Sequence, residues 1–242
     1  MEQNKLREET LTVSADTDDL KRVFQDRKRT NILNAIEQKT ISFLVKRVPD
    51  FITSNMLTFA GTLGSGIVLL GFILAHYQFN RNYLLLGVIG LALNWLGDSL
   101  DGRVAYYRNI PRKWYGFSLD IIMDWVSTVL IGLGYLVYAR GQYELIAFVF
   151  VVLYGWAMII SQLRYKITDI YSIDSGLVGP TEIRIILALI IILEAIFGGL
   201  FGYFAGAICI TLFIINIFDT RKLLKLGDIR DDMERKAKKN AA

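Results

Sequence analysis

Residues 97–125 read GDSLDGRVAYYRNIPRKWYGFSLDIIMDW, and this run decides the fold. Four aspartates, Asp98, Asp101, Asp120 and Asp124, stand in it, yet the flanking stretches NYLLLGVIGLALNWL (82–96) and VSTVLIGLGYLVYA (126–139) are apolar. A bilayer core of roughly 30 Å calls for about 20 apolar residues per helix. The run is therefore expected to join two membrane spans through a short basic loop, with acidic residues carried inside both. Charge inside a bilayer is costly and usually functional. At about 100° per residue, Asp98 and Asp101 fall roughly 60° apart on one helix face, which Gly102 and Ala105 share. Asp120 and Asp124 fall roughly 40° apart on the next helix, with Gly116 beside them. Two antiparallel helices thus each present a carboxylate pair flanked by small residues, which leave room for a ligand. A rise of about 1.5 Å per residue puts Asp120 and Asp124 roughly 10 and 16 Å inside the membrane from the loop side.

The same pattern extends in both directions. Six apolar blocks are expected to span the membrane, at about 52–77, 82–107, 113–139, 142–168, 180–198 and 200–219. Of the 27 lysines and arginines, 25 fall in the N-terminal segment, the loops near 103–113 and 164–184, and the tail; Arg81 and Arg140 alone fall on the other side. The positive-inside rule then makes both termini cytoplasmic and puts the aspartates in the cytoplasmic leaflet. The expected fold class is an all-α membrane protein of six transmembrane helices with an N-terminal amphipathic juxtamembrane helix. Residues 1–20 are polar, acidic and expected to be mobile. Residues 21–50 interleave Val23, Phe24, Ile32, Leu33, Ile36, Ile41 and Phe43 with Lys and Arg, and Pro49 ends the segment. They read as a cytoplasmic amphipathic helix, lying on an anionic membrane surface or docked on the bundle. Residues 51–219 form the transmembrane catalytic domain, and 220–242 a charged, helical cytoplasmic tail. A cleaved signal peptide is not expected, because the first apolar block begins near Phe51 after a long charged segment.

The composition narrows the chemistry. Cys209 is the single cysteine and His76 the single histidine. A disulfide framework, a His/Cys zinc site and a Ser-His-Asp triad are excluded. Basic residues flank spans, so the net charge of +4 does not indicate nucleic acid. What remains is carboxylate, hydroxyl and cation chemistry. Clustered carboxylates suit a hard cation, Mg²⁺ or Mn²⁺. Two such ions could clamp a diphosphate for in-line displacement, while an aspartate outside direct coordination could act as general base on an alcohol. The same acids would also suit a cation-coupled transporter.

The spacing resembles that of the CDP-alcohol phosphotransferases (CDP-alcohol phosphatidyltransferases), integral membrane enzymes of phospholipid synthesis. Their pattern, D-x2-D-G-x2-A-R followed after eight or nine residues by G-x3-D-x3-D, is met by Asp98, Asp101, Gly102, Ala105, Gly116, Asp120 and Asp124. Tyr106 stands where the family has arginine, and Arg108 lies two residues on; Arg103 or Arg108 could substitute through loop geometry. The resemblance implies that Asp98, Asp101 and Asp120 are metal ligands for two ions, and that Asp124 is a ligand, the general base, or both. It makes Asp120 and Asp124 the catalytic residues. Gly102, Ala105 and Gly116 would let the nucleotide lie against the helices, with Asp98 also on the nucleotide side. Ser54-Asn55-Met56-Leu57-Thr58 is similar to the family's P-N-x-[ILV]-T element, which makes Asn55 and Thr58 candidate cytidine contacts; as a plain helix start, Thr53 or Ser54 would cap and Asn55 follow. The partners implied are a CDP-linked lipid or alcohol donor, an alcohol acceptor, membrane lipids and a second copy of the chain as a homodimer.

A second polar cluster, Arg164, Lys166, Glu182 and Arg184, brackets the start of the fifth span, where Pro180 takes the favoured first-turn position. These residues could hold an acidic acceptor headgroup, since arginine matches phosphate geometry, or could be ordinary positive-inside flanking. Gly-Pro-Thr-Glu at 179–182 is similar to the choline and ethanolamine branch, while Glu followed closely by Arg is similar to the inositol-phosphate branch. The expectation is transfer of a phosphatidyl group from CDP-diacylglycerol to a phosphorylated polar acceptor, such as inositol phosphate or glycerol phosphate, with release of CMP; headgroup transfer from CDP-choline or CDP-ethanolamine to a lipid alcohol is the alternative. Glu194, deep in the fifth span, has no partner that the sequence names.

Overall fold

The computed structural model describes residues 33–139, 141–168 and 179–241. The expected mobile segment 1–20 and the first part of the expected amphipathic helix, 21–32, lie outside the described residues, as does Arg140. All regular structure among the described residues is helical: α1 Asn34–Val45, α2 Ser54–Tyr77, α3 Leu85–Tyr107, α4 Lys113–Tyr138, α5 Glu144–Thr168, α6 Pro180–Phe197 and α7 Phe201–Ala241, with 3₁₀ turns at Arg81–Leu84 and Gly141–Tyr143.

Local chemistry sets the ends. Thr53 caps α2 by accepting the Met56 N–H at 3.2 Å. Asn109 adopts a left-handed φ of 56° after α3, and Pro111 blocks continuation. Pro180 opens α6, and the Glu182 side chain reaches back to the Gly179 N–H at 3.0 Å. Gly198 and Gly199 turn the chain into α7 with φ of 72° and 76°. The last apolar block and the charged tail form one continuous helix. Arg230 on that tail donates to the carbonyls of Lys166 and Ile167, which closes the C-terminal end of α5.

Five helices among the described residues are long and apolar enough to cross a membrane: α2, the 3₁₀ turn plus α3, α4, α5 and α7. The expectation of six spans is met only to that extent. The 18 residues of α6 include three charges, Glu182, Arg184 and Glu194, whereas each of the other five has an 18-residue apolar stretch with no more than two. At about 1.5 Å per residue it is roughly 27 Å long, just short of a hydrocarbon core.

α2 and α3 form an antiparallel pair with their backbones in contact. A Cβ on Gly64 would lie 2.5 Å from the Gly90 carbonyl oxygen, and one on Gly97 would lie 2.5 Å from the Leu57 carbonyl oxygen. Small residues are the usual means of such close approach between membrane helices. α4 packs against α2, α5 against α4 and α7, and α6 against α3.

Two apolar clusters result. One, toward the α6–α7 turn, includes Val68, Phe72, Leu91, Tyr135, Ile190 and Phe201. The other joins Ile41 and Val45 of α1 to Leu57, Leu100 and Val104. α1 is therefore docked on the bundle through one face. Its other face exposes Ile36, Lys39, Phe43 and Arg47, with the Arg47 guanidinium 3.4 Å from the centre of the Phe43 ring. Asn94 and Asp98 lie between the parts of α3 that enter the two apolar clusters, Leu91 in one and Leu100 in the other.

Candidate functional site

Each helix of the core changes character at the same level. On α3, Asn94, Asp98 and Asp101 follow the apolar Leu91; on α4, Asp120, Asp124 and Ser127 precede Ile131. Thr58, Gly61 and Thr62 of α2 complete a narrow cleft lined also by Asp98, Asp101, Asp120 and Asp124.

The tertiary structure regroups the two sequence pairs. Carboxylate oxygens of Asp98, Asp120 and Asp124 all lie within 4.8 Å of one another. Asp101 is turned aside: its Oδ2 is 2.6 Å from the Thr58 hydroxyl, and its Oδ1 accepts the Gly102 N–H. Thr58 Oγ1 is also 3.1 Å from the Ser54 carbonyl, and its single proton can serve only one acceptor at a time.

The grouping has an electrostatic consequence. Three carboxylates at such separations repel by roughly 3 kcal/mol per pair at an effective dielectric of about 20, which a shared cation would relieve. The donor set fits a hard divalent ion: all oxygen, with no imidazole or thiolate near. Mg²⁺–O bonds of about 2.0–2.1 Å put two ligands of one ion at most about 4.2 Å apart, so the three oxygens would draw in from their present separations to share an ion.

The cluster already holds one cation. Arg184, from the first turn of α6, places Nη2 at 2.8 Å from Asp98 Oδ2 and 3.8 Å from Asp124 Oδ1. Its Nε donates to Asn94 Oδ1 at 2.8 Å. The Asn94 amide in turn lies 3.1 Å from the Gly61 carbonyl, 3.0 Å from Ser65 Oγ and 3.3 Å from Ser127 Oγ. A buried asparagine held by three helices thus orients the guanidinium against the acids.

The rest of the second polar cluster is dispersed. Arg164 pairs with Asp219 at 3.6 Å, and Lys166 is exposed at the end of α5. The Glu182 carboxylate accepts the N–H groups of Leu33 and Gly179, both at 3.0 Å. The four residues do not form one pocket, because those on α5 face α7 and its tail whereas those on α6 face α1 and α3.

Among the nucleotide-side residues, Gly102 and Gly116 border open space, with nothing within 4 Å of where a Cβ would stand. Ala105 lies in the last turn of α3, where its carbonyl accepts the Ile110 N–H at 3.0 Å. Asn55 belongs to an exposed group: its amide nitrogen is 3.2 Å from Tyr115 Oη, and its amide oxygen accepts from Arg112 at 2.6 Å. The Arg112 guanidinium lies 4.3 Å from the centre of the Tyr115 ring.

Arg108 does not stand in for the missing family arginine. It donates to the carbonyls of Ile52, Val48 and Pro49 at 2.6, 3.2 and 2.8 Å, pinning the α1–α2 connection. Arg103 is buried in α3 and Tyr106 is half-buried.

Sequence reasoning passed over Asn94, Ser65 and Ser127 as site residues. The available signal was a polar side chain in an apolar span: Asn94 and Ser127 stand one turn from Asp98 and Asp124, and Ser65 two turns from Thr58. Glu194 does have partners: its Oε1 accepts Tyr138 Oη–H at 2.8 Å and the Gly199 N–H at 2.9 Å, and its Oε2 accepts the N–H groups of Leu200 and Phe201 at 2.7 and 2.8 Å.

Residues 51–217 match the model of a family described as CDP-alcohol phosphatidyltransferase. No curated protein matches the chain.

Proposed function

The chain belongs to the CDP-alcohol phosphatidyltransferase family, transferases that move a substituted phosphate from a CDP-alcohol in phospholipid synthesis, and from that premise we propose that it transfers a phosphatidyl group from CDP-diacylglycerol to a polar acceptor that itself bears phosphate. The observation that carries the acceptor reading is Arg184, whose guanidinium stands 2.8 Å from Asp98 at the carboxylate cluster. A fixed arginine beside the reacting centre suits an anionic group, which it can grip in a bidentate fashion. Thr181, in the run similar to the choline and ethanolamine branch, is directed at α1 and does not line the cleft, so headgroup transfer from CDP-choline or CDP-ethanolamine is the less favoured alternative.

In the proposed reaction the acceptor hydroxyl oxygen forms a bond to the phosphorus that carries the lipid. The bond from that phosphorus to the bridging oxygen of the diphosphate breaks, and the bridging oxygen leaves with its electron pair as part of CMP. Asp124 takes the hydroxyl proton. Asp98, Asp120 and Asp124 would hold Mg²⁺ or Mn²⁺, with Asp101 on the same cleft wall contributing to a second ion. Bound there, the cations would neutralise the diphosphate and stabilise the leaving phosphate. Thr58 keeps Asp101 in place. Asn55, with Arg112 and Tyr115, forms an exposed group one helical turn before Thr58, where a cytosine ring could stack and hydrogen-bond; Gly102, Ala105 and Gly116 would leave it space.

We also propose that α6 completes a six-span bundle, with both termini cytoplasmic, the exposed face of α1 against the membrane surface, and the chain acting as a homodimer. Glu194 does not forbid α6 from spanning, because its carboxylate is satisfied within the chain.

The test is direct. Purified protein in liposomes with Mg²⁺ or Mn²⁺ should release CMP from CDP-diacylglycerol when a phosphorylated polyol is supplied, and a chelator should stop it. Release only from CDP-choline or CDP-ethanolamine with a lipid alcohol would reverse the donor assignment. Cation flux with no turnover of any CDP compound would favour a transporter instead. Cross-linking in native membranes tests the dimer, and cysteine accessibility at the termini tests the orientation.

A further inference from the structure

The first turn of α6 carries Thr181, Glu182 and Arg184, and these residues join two parts of the molecule that the sequence keeps far apart. Arg184 enters the aspartate cluster. Thr181 donates to Glu37 Oε2 of α1 at 3.0 Å, with both residues buried. Glu182 holds the Leu33 N–H at the start of α1 with one oxygen and the start of its own helix with the other. α1 is in turn fixed below by Ile41 and Val45 on Leu57, Leu100 and Val104. Arg108 secures the connection that follows it. The N-terminal helix is thus clamped at both ends, and one of its clamps is the turn that aims Arg184.

Burying the Glu37 carboxylate is costly unless it is hydrogen-bonded. Apolar packing alone would have docked α1 without it. A directional bond from a buried acid to the turn bearing Arg184 does something packing does not: it sets the axial position of that turn. An arginine 2.8 Å from its carboxylate partner tolerates little displacement before the contact weakens.

We infer that Glu37 is a positioning residue for Arg184, acting through Thr181, so that the docked N-terminal helix sets the electrostatics of the aspartate cluster. This rests on the reading of Arg184 as part of the cation and substrate site.

A double-mutant cycle on the full chain in nanodiscs, read by Mn²⁺ binding in electron paramagnetic resonance without any substrate, separates the two ideas. Removing the guanidinium in Arg184→Gln should tighten Mn²⁺ binding, since a positive charge beside two ligands is lost. Glu37→Ala and Thr181→Val should each shift Mn²⁺ affinity in the same direction, by roughly threefold or more. Glu37→Gln, which can still accept the Thr181 proton, should stay near wild type. In the Arg184→Gln background, Glu37→Ala should add nothing. Equal effects of Glu37→Ala with and without Arg184, or none where Arg184→Gln acts, would overturn the inference while leaving the site reading intact. No response of Mn²⁺ to Arg184→Gln would instead remove the site reading and this inference with it. Thr181→Val changes one atom and keeps the volume, so it carries the test if Glu37→Ala does not fold.

Discussion

α6 meets an acidic group at each end, buried at one and half-exposed in a cleft at the other, and the two are built on opposite plans. Near its C-terminus, Glu194 is a single carboxylate that receives a phenol and three backbone N–H groups from its own chain. Near its N-terminus, Arg184 meets Asp98 and Asp124, which with Asp120 bring carboxylate oxygens within 4.8 Å of one another. The first arrangement neutralises one charge with many dipoles and ties down a tight glycine turn. The second gathers like charges that repel one another and leaves a cleft between them. An intramembrane acid is thus not functional by position alone. The Glu194 site is complete within the chain, whereas the aspartate cluster lines a cleft and, in the proposed function, brings cations and a polyanion together.

The comparison breaks first at the aspartates. Asp98→Asn and Asp124→Asn should each lower CMP release by about 10²–10⁴-fold, with the protein still extracted and folded, as read by thermal melting in detergent. If either substitution left turnover intact, the cluster would lose its functional status.

Glu194→Ala should show the reverse profile. It leaves buried N–H groups of the α6–α7 turn without their acceptor, at about 1–3 kcal/mol, and should lower the melting midpoint by several degrees. Turnover per folded molecule should stay within about twofold of wild type. A catalytic defect without a stability loss would erase the contrast.

Arg184→Lys keeps the charge but not the planar fork, which the Asn94 and Asp98 contacts both use. Its acceptor KM should rise about tenfold, with a smaller change for the donor. A still smaller effect is expected from Thr58→Val. Loss of one hydrogen bond to Asp101 should cost about 1 kcal/mol, read as a three- to tenfold fall in kcat with little change in melting.

Much of this arrangement was legible in the residues. Apolar block length pointed to helices at nearly the observed boundaries, and the spacing of Asp98, Asp101, Asp120 and Asp124 marked the site. What periodicity could not show was how carboxylates on different helices combine. Asp98 and Asp101 share a helix face, yet Asp98 joins Asp120 and Asp124 while Asp101 turns to Thr58, because the glycine contacts of α2 and α3 bring Thr58 within reach. Arg164, Lys166, Glu182 and Arg184 read as one basic pocket because they flank one loop; their helices then point them at different neighbours. Glu194 looked orphaned because three of its partners are backbone N–H groups of a turn, which no residue type announces.

By itself, then, the sequence determined the helical membrane class, the spacing of the carboxylates and the family to which the chain belongs, since these follow from hydropathy, composition and local spacing. Only the tertiary structure decided which acids share an ion-sized space, that Arg184 and Asn94 stand among them, and that α1 reaches the site through Glu37. Those relations depend on interhelical distance and rotation, which side-chain contacts between segments far apart in the chain set and local pattern does not encode.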